Sequence, residues 1–341
     1  MAGAGSASYP KIELHVHLEG AVSPEALIAA AARNGWELPV DSPDALAEFM
    51  RFRDFDHFMK AWFATTPALS TEQDYRELVV DYARRAAAQG AVYVEAIFSP
   101  TDKIAQGVSL DTCFEGFCDG VAQAREEVGI EMRLTPDITR GLCDLDTAKR
   151  TAEYAVQYRY RGVVGLGLGG PEAGNPPEPY AEAFAIARAG GIASVPHAGE
   201  TAGPESIRGA LDALSADRIR HGVRAVDDPE LLAELAERQI VCDVCVLSNV
   251  RLGVAPSIEQ HPLPTMLAAG IPCTVNTDDP TFFSCDLDSE HEAARSLGAD
   301  PRTAFTAGIT GALCHQDTKT RLRTILTEHD WDAPAPSAVT G

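Results

Sequence analysis

The sequence predicts a single (β/α)8 barrel of the TIM type, an α/β fold, with a helical insertion after the first strand. Short runs of β-branched or apolar residues alternate with stretches rich in Ala, Leu and Glu, which is typical of a parallel sheet with crossover helices. Eight such runs occur, and eight parallel strands with intervening helices close into a barrel. No Gly-x-Gly-x-x-Gly follows the first run, which argues against a dinucleotide-binding fold. The predicted strands are residues 12–18, 92–98, 132–138, 163–168, 192–197, 218–221, 240–247 and 271–276.

The first helix has recognisable start and stop signals. Ser23, Pro24 and Glu25 supply an N-cap, a first-turn proline and an early acidic residue, and Gly35 follows the helical run. Residues 36–90 then form a segment much longer than an ordinary βα unit, so we expect part of it to cover the mouth of the barrel. Its aromatic residues have near-helical spacing, so we expect most to pack against the barrel and one or two to contact substrate. They are Phe49, Phe52, Phe55, Phe58, Trp62 and Phe63.

The expected domain organisation is one barrel with short ends. We expect a flexible N-terminus over residues 1–9, the barrel over residues 10–325, and a C-terminal tail over residues 326–341. The stretch 331–341 carries two prolines among small residues, which favours a frayed end. No internal sequence repeat is evident beyond the alternation of strands and helices.

Composition and charge exclude several classes of partner. The formal net charge is −22, from 28 basic and 50 acidic residues, and no dense Lys/Arg run interrupts it, so binding to nucleic acid or to an anionic membrane is disfavoured. The eight cysteines are scattered, which favours reduced thiols over a disulfide scaffold. The start lacks the basic and apolar regions of a secretory signal, and no run approaches the ~18 apolar residues of a membrane span. We therefore expect a cytoplasmic protein that acts on a small molecule; the sequence carries no signal for an oligomeric state.

Histidine and aspartate residues occur where a barrel enzyme keeps its catalytic groups. His15 and His17 lie near the end of the first predicted strand, and the two-residue period of a strand points both imidazoles to one face. His197, His221 and Asp278 follow or end the fifth, sixth and eighth strands, at the same rim. Taken alone, His221 could be a hydrogen-bonded core residue and Asp278 a helix N-cap, but their common location favours a functional site.

The ligand types predict one zinc ion per chain. Three imidazoles and one carboxylate, from His15, His17, His197 and Asp278, leave a coordination position for water, as catalytic zinc sites do. The fourth strand supplies no lysine that could be carboxylated to bridge a second metal. The Cys-x-x-Cys at 242–245 has no second pair and its thiols alternate in direction, so we expect no separate zinc site there. The remaining histidines are expected to be structural or exposed: His57, His261, His291, His315 and His329.

Six separated motifs occur in the order found in one enzyme family, and from about residue 10 to residue 323 the chain resembles the adenosine/adenine deaminases. The motifs are His15-Val16-His17, Gly170, His197-Ala198-Gly199-Glu200, His221-Gly222, the run from Cys245 to Asn249, and Thr277-Asp278-Asp279-Pro280.

This resemblance implies a role for each motif in the deamination of a 6-aminopurine compound. Zinc activates a water molecule, Glu200 delivers a proton to purine N1, and Gly170 contributes a backbone donor to the purine ring. His221 together with Asp279 orients or deprotonates the attacking water. These roles fit the chemistry, because displacing an amino group from an aromatic ring needs a strong nucleophile and a proton for the ring nitrogen. Glu200 must then be protonated before reaction, so we expect burial to raise its pKa.

Departures from the family pattern concern the sugar side of the substrate. Glu19 stands where adenosine deaminases usually carry an aspartate that holds the ribose 5′-hydroxyl, and we expect Glu19 to bind substrate. The glycine motif is Gly169-Gly170-Pro171-Glu172, and Val246 replaces a common proline. A glutamate at this position is found in the adenine deaminases of the family, which makes free adenine a candidate substrate.

A second set of residues favours a larger substrate. Phe55-Asp56-His57-Phe58 and Trp62-Phe63 are similar to bacterial aminodeoxyfutalosine deaminases of menaquinone biosynthesis, whose nucleoside carries a large 5′ substituent. We therefore favour aminodeoxyfutalosine, with adenosine or 2′-deoxyadenosine next and adenine as the alternative.

Two other kinds of function compete with deamination. A metal-dependent amidohydrolase could open a cyclic amide or ester, but the spacing of His197 and Glu200 suits acid delivery to a ring nitrogen better. A catalytically dead barrel could act as a binding module, but every expected catalytic position is filled.

Overall fold

The computed structural model describes residues 9–52 and 55–332, and its strands are parallel throughout. The strands of this part of the chain are β1 (Lys11–His17), β2 (Ala91–Phe98), β3 (Glu131–Thr139), β4 (Gly165–Gly169), β5 (Ala193–Ser194), β6 (His197–Ala198), β7 (Arg218–His221), β8 (Val241–Val244) and β9 (Cys273–Val275). Each predicted strand has an observed counterpart, with ends that shift by at most three residues.

The strands form the expected TIM-type barrel. They pair in sequence order, as β1 to β5 and then β6 to β9. Between these two groups, the N–H groups of Asp217 and Arg220 donate to the carbonyls of Ser194 (2.8 Å) and Pro196 (3.0 Å). At the other seam, the His17 N–H donates to the Asp278 carbonyl (2.8 Å). Backbone bonds therefore connect the ends of both groups, as in a closed barrel.

The fifth predicted strand, residues 192–197, is wrong in one respect, because the structure splits it into β5 and β6. Val195 still donates its N–H to the Leu166 carbonyl at 2.9 Å, but the next residue is Pro196, which has no N–H to give to the ladder. The break falls directly before His197. A proline before the strand end thus separates the structural part of the strand from its functional end.

The helices surround the barrel, and the cap signals of the first one are confirmed. The Ser23 hydroxyl accepts the Ala26 N–H at 3.3 Å, and Gly35 ends the helix with a φ of 66°. The α-helices of the described residues are α1 (Pro24–Asn34), α2 (Pro43–Met50), α3 (Phe55–Thr65), α4 (Glu72–Ala88), α5 (Pro100–Ala105), α6 (Leu110–Glu127), α7 (Leu145–Gln157), α8 (Ala181–Ala189), α9 (Pro204–Ala213), α10 (Pro229–Glu237), α11 (Val246–Arg251), α12 (Leu263–Ala268), α13 (Pro280–Phe283), α14 (Leu287–Ser296), α15 (Pro301–Gly311) and α16 (Gln316–Glu328).

Helices α2 and α3 lie in the long segment between β1 and β2, where an insertion was expected. The ring of Phe58 packs against Phe52 (5.2 Å between centroids), Phe282 (5.5 Å) and Trp62 (5.9 Å). Because Phe282 belongs to α13, which follows β9, these contacts fix the insertion over the carboxyl end of the first and last strands. The predicted packing role of the aromatic residues is confirmed for these rings, while Phe63 is exposed.

Buried ion pairs fill the barrel below the rim. Arg218 on β7 contacts Glu95 at 2.8 Å and Asp243 at 2.6 Å, and its neighbour Arg220 pairs with Asp137. All of these side chains are almost completely buried. The pairs link β7 to β2, β3 and β8 beneath the site. Removing one member would leave a buried charge without its partner.

The two ends of the described chain pack together. Helix α16 continues past residue 325, and Trp331 contacts the rings of Tyr9 (6.3 Å) and Phe305 (5.4 Å). The rest of the expected flexible ends, residues 1–8 and 333–341, lies outside the described residues. Within residues 9–52 and 55–332, none of the helices combines the length and the apolar character needed to cross a bilayer.

Candidate active site

A cavity at the carboxyl ends of the strands contains most of the predicted site residues. It encloses about 710 Å³, a volume that includes the open space at its mouth. Catalytic groups of barrel enzymes lie at this face. The predicted residues that line the cavity are His17, Gly170, His197, Glu200, His221, Asp278 and Asp279.

The four predicted metal ligands converge at one point of the cavity. The Nε2 atoms of His17 and His197 are 3.2 Å apart. Asp278 Oδ1 lies 3.3 Å from His15 Nε2 and 3.4 Å from His17 Nε2. Tetrahedral ligand bonds of about 2.0–2.2 Å place neighbouring ligand atoms roughly 3.3 Å apart. The three observed separations therefore fit the spacing of ligands around a tetrahedral metal site.

The protonation of these imidazoles also suits a metal. Burial lowers the pKa of His17 to about 3, and it lowers the pKa of His15 and His197 as well, so all three are neutral and offer a lone pair. His15 Nε2 is fully buried and makes no hydrogen bond within the described residues. A buried nitrogen without a partner beside a carboxylate is expected when an ion completes the site.

Neighbouring groups hold two of the ligands in orientation. His197 Nδ1 donates to the Leu168 carbonyl at 3.1 Å and lies 3.4 Å from Asp137 Oδ2, which leaves its Nε2 as the lone-pair nitrogen. On the opposite side, the Ser248 hydroxyl donates to Asp278 Oδ2 at 2.5 Å and leaves Oδ1 for the imidazoles.

The backbone is strained at two of the site residues. His221 and Asp278 both have a φ of 63°, in the left-handed region that residues other than glycine seldom adopt. Each turns the chain at a strand end, so that the side chain enters the cavity instead of following the strand. Gly20 is required for a steric reason, because a Cβ at this position would lie 1.8 Å from Asp279 Oδ1.

Two further carboxyl groups face the cavity with perturbed acidities. Burial raises the pKa of Glu200 well above its usual range, and the nearby Asp278 and Glu172 charges raise it further. Burial likewise raises the pKa of Asp279, with contributions from Asp278 and Glu19. Neither Glu200 Oε1 nor Asp279 Oδ1 makes a hydrogen bond within the described residues, and Glu200 Oε1 lies 3.5 Å from His221 Nε2. A neutral carboxyl group that can donate a proton is the state expected for Glu200.

A match to a known family decides the class of protein. A sequence model named adenosine deaminase matches residues 10–329. The chain belongs to the adenosine deaminase family. This membership confirms the expected class of enzyme, a metal-dependent aminohydrolase.

Individual relatives extend the match over nearly the whole chain. The aminodeoxyfutalosine deaminase of Acidothermus cellulolyticus is 47% identical over 329 residues, which cover 94% of this chain and 92% of the relative. A crystal structure of adenine deaminase from Arthrobacter aurescens superposes with a TM-score of 0.88 at 33% identity, covering 94% of this chain and 98% of that one. An amidohydrolase from Burkholderia ambifaria, solved with bound Zn, has a TM-score of 0.85 at 31% identity, with coverages of 94% and 90%.

Glu172 positions the active site of this family member, and the sequence did not predict that role. Its carboxylate is buried and accepts the backbone N–H groups of Gly199 (2.5 Å), Glu200 (3.0 Å), Thr201 (2.8 Å) and Ala202 (2.9 Å). It therefore holds the loop from which the Glu200 side chain enters the cavity. In the sequence, only the position of Glu172 two residues after Gly170 connects it with the site.

Gly170 lies at the end of β4 and lines the cavity, as predicted. Its φ is 82°, and a Cβ there would approach Thr139 Cγ2 to 2.8 Å and the Arg140 carbonyl to 3.0 Å. Only glycine suits this position, which leaves the backbone open to the cavity. Its role as a donor to the purine remains a prediction.

Glu19 lies below the cavity wall instead of in it. It is fully buried in a short 3-10 helix (Glu19–Ala21), and it accepts the Ser99 backbone N–H at 2.9 Å. Ser99 itself lines the cavity. Burial raises the pKa of Glu19 to about 7, although Lys103 opposes this shift. Glu19 is thus placed to act through Ser99, and its predicted substrate contact remains a prediction.

The side of the cavity away from the metal ligands is largely apolar. Phe58, Met59 and Trp62 of α3 line it, together with Leu142 from the loop after β3. Phe58 and Trp62 are therefore the insertion aromatics that are placed to contact substrate, and that contact remains a prediction. The Phe55 and Asp56 side chains of the same motif lie outside the described part of the structure.

Proposed function

We propose that this chain hydrolyses the 6-amino group of a purine nucleoside to a 6-oxo group and ammonia, with aminodeoxyfutalosine as the favoured substrate. The observation that carries the proposal is a largely buried Glu200 carboxyl, with its pKa raised, facing a cluster of metal-ligand side chains in one cavity. A proton donor beside a metal site suits the attack of water on an electron-rich ring. The 47% identity with an aminodeoxyfutalosine deaminase supports the choice of substrate and a place in menaquinone biosynthesis.

We propose that the metal is zinc, at one ion per chain, held by His15, His17, His197 and Asp278. The donor types and their separations of 3.2–3.4 Å support this assignment. When bound, zinc supplies a water-derived nucleophile at neutral pH by acting as a Lewis acid.

The protein side chains carry the proton transfers. Glu200 donates its proton to purine N1 while a water oxygen adds to C6, which prevents negative charge from building up on the ring. Asp279, in its ionised form, accepts one proton from that water and passes it to the departing amino group, which leaves as ammonia. The second proton of the water returns to Glu200 as the 6-oxo group forms, so both carboxyl groups regain their starting states. Gly170 presents its backbone N–H to a ring nitrogen and sets the orientation of the base.

The apolar wall supports a nucleoside that carries a large 5′ substituent. Phe58, Met59, Trp62 and Leu142 offer apolar and aromatic surface, whereas free adenine has nothing to fill that space. Adenine remains the second candidate, because Glu19 and the structural match to the Arthrobacter aurescens enzyme both favour it.

The test is a comparison of kcat/KM for aminodeoxyfutalosine, 2′-deoxyadenosine, adenosine and adenine, followed by ultraviolet absorbance and by ammonia release. We expect the highest value for aminodeoxyfutalosine. A higher value for adenine would assign the chain to the adenine branch, and an absence of ammonia from every compound would refute deamination. The last result would favour the amidohydrolase or binding-module alternatives.

A further inference from the structure

A buried chain of three side chains runs from His221 away from the cavity. Asn249 Nδ2 lies 3.3 Å from His221 Nδ1, and Asn249 Oδ1 lies 3.1 Å from His261 Nε2. Beyond them, the Leu263 backbone N–H reaches His261 Nδ1 at 3.0 Å. The three side chains are almost completely buried, with at most 4% of any residue exposed.

The direction of each hydrogen bond follows from the last one. A backbone N–H can only donate, so His261 Nδ1 is the acceptor and carries no proton. Burial lowers the pKa of His261 to about 4, and the neutral ring therefore carries its proton on Nε2. That N–H donates to Asn249 Oδ1, which leaves the Asn249 amide N–H to donate to His221 Nδ1.

We propose that His261 and Asn249 are positioning residues that hold His221 in the tautomer protonated on Nε2. In this tautomer, His221 presents an N–H to the cavity, where Glu200 Oε1 (3.5 Å) and Asp278 Oδ2 (3.9 Å) are the nearest acceptors. Its only unprotonated nitrogen faces Asn249 and cannot reach a water in the cavity. His221 therefore donates a hydrogen bond to the attacking oxygen and does not deprotonate it, which leaves Asp279 as the acceptor.

The same tautomer separates His221 from the metal ligands. Potential ligand atoms of His15, His197, His221 and Asp278 all lie within 4.8 Å of one another, so distance alone does not exclude His221. A nitrogen that carries a proton has no lone pair for a metal. The chain of hydrogen bonds thus selects which of the clustered histidines can bind the ion.

The direct test is ¹⁵N NMR of the histidine-labelled, zinc-loaded enzyme, with the His221 signals assigned by their loss in His221→Asn. We expect an unprotonated Nδ1 and a protonated Nε2. In Asn249→Asp, the carboxylate still accepts from His261 and must also accept from His221, so the proton should move to His221 Nδ1. His291→Gln alters a buried histidine that is not part of the hydrogen-bonded series His221, Asn249 and His261, so it should leave the His221 signals unchanged. A protonated Nδ1 in the unaltered enzyme, or no change in Asn249→Asp, would overturn the proposal.

Two variants of His261 test the same proposal without altering Asn249, in case Asn249→Asp does not fold. In His261→Gln, the side-chain amide can place its N–H where the Nε2–H stood, so the His221 tautomer should persist. His261→Leu removes the donor and should let Asn249 rotate, which mixes the two tautomers of His221. Equal His221 spectra in the Gln and Leu variants would overturn the proposal that His261 acts through Asn249.

The catalytic consequence rests on the proposed function and is measured separately. We expect kcat of Asn249→Asp to fall by about 10²–10³-fold, the effect of losing one preorganised donor, with KM and zinc content little changed. Unchanged kcat together with a shifted proton would refute the donor role of His221. The NMR result does not depend on turnover, so an unaltered enzyme that deaminates no aminopurine would refute the proposed function alone.

Discussion

Replacing Glu172 with Gln tests whether a buried carboxylate positions the proton donor of the site. Its Oε2 accepts three backbone N–H groups, from Glu200, Thr201 and Ala202, and its Oε1 accepts a fourth, from Gly199. Glutamine keeps one acceptor oxygen but loses the charge, and it turns an amide toward the fourth N–H.

The magnitude follows from these four bonds. Hydrogen bonds to a charged group contribute about 1.5–3 kcal/mol and neutral ones about 0.5–1.5 kcal/mol. Weakening three of them by about 1 kcal/mol each and losing the fourth gives a reduction of about 4.5–6 kcal/mol in the free energy of unfolding, as an upper value because the bonds are not independent. A loop displaced by about 1 Å would lower kcat by roughly 100-fold.

The variant should also change the pH profile. The negative charge of Glu172 helps to raise the pKa of Glu200, and Glu200 must be protonated to act, so activity is lost as pH rises through that pKa. Removing the charge should move this alkaline limb of kcat/KM to lower pH. Urea denaturation and a pH series on Glu172→Gln measure both effects, with the exposed Glu178→Gln as a control. Unchanged stability together with an unchanged alkaline limb would refute the positioning role.

Three further changes test other parts of the account. Glu200→Gln should keep the metal but lower kcat by about 10²–10⁴-fold, because an amide cannot deliver the proton; near-normal kcat would reassign the acid. Elemental analysis should find about one zinc per chain, with loss on replacing any of the four proposed ligands, and a fully active metal-free protein would exclude the proposed mechanism. Glu19→Asp should change the ratio of kcat/KM for adenosine to that for the native substrate by up to about tenfold, because the shorter side chain weakens the hydrogen bond that holds Ser99 in the cavity wall, and such a bond contributes about 0.5–1.5 kcal/mol. An unchanged ratio would favour Phe58 and Trp62 as the residues that select the 5′ side of the substrate.

The features that the sequence predicted correctly depend on residues that are close together along the chain. His15 and His17 share a face because strand side chains alternate, and their rim position follows from barrel topology alone. The Ser23 cap and the Gly35 end of α1 are equally local, since both depend on residues within one or two turns.

Contacts between distant segments could not be predicted in this way. Glu172 reaches residues 199–202 across the barrel rim, and no local pattern marks a carboxylate that binds four backbone N–H groups. His261 was expected to be structural or exposed, because its link to the site passes through a buried Asn249 that only the fold brings near. The break before His197 was also missed, although the Pro196 that causes it is plain in the sequence.

The central claim, hydrolytic replacement of a purine 6-amino group, is tested most directly by mass spectrometry of the aminodeoxyfutalosine product formed in ¹⁸O-labelled water. We expect a 6-oxo product that carries one labelled oxygen from solvent, with one ammonia released per molecule converted. A product that gains the labelled oxygen but keeps its amino nitrogen would show ring or side-chain hydrolysis instead. That result would contradict the account.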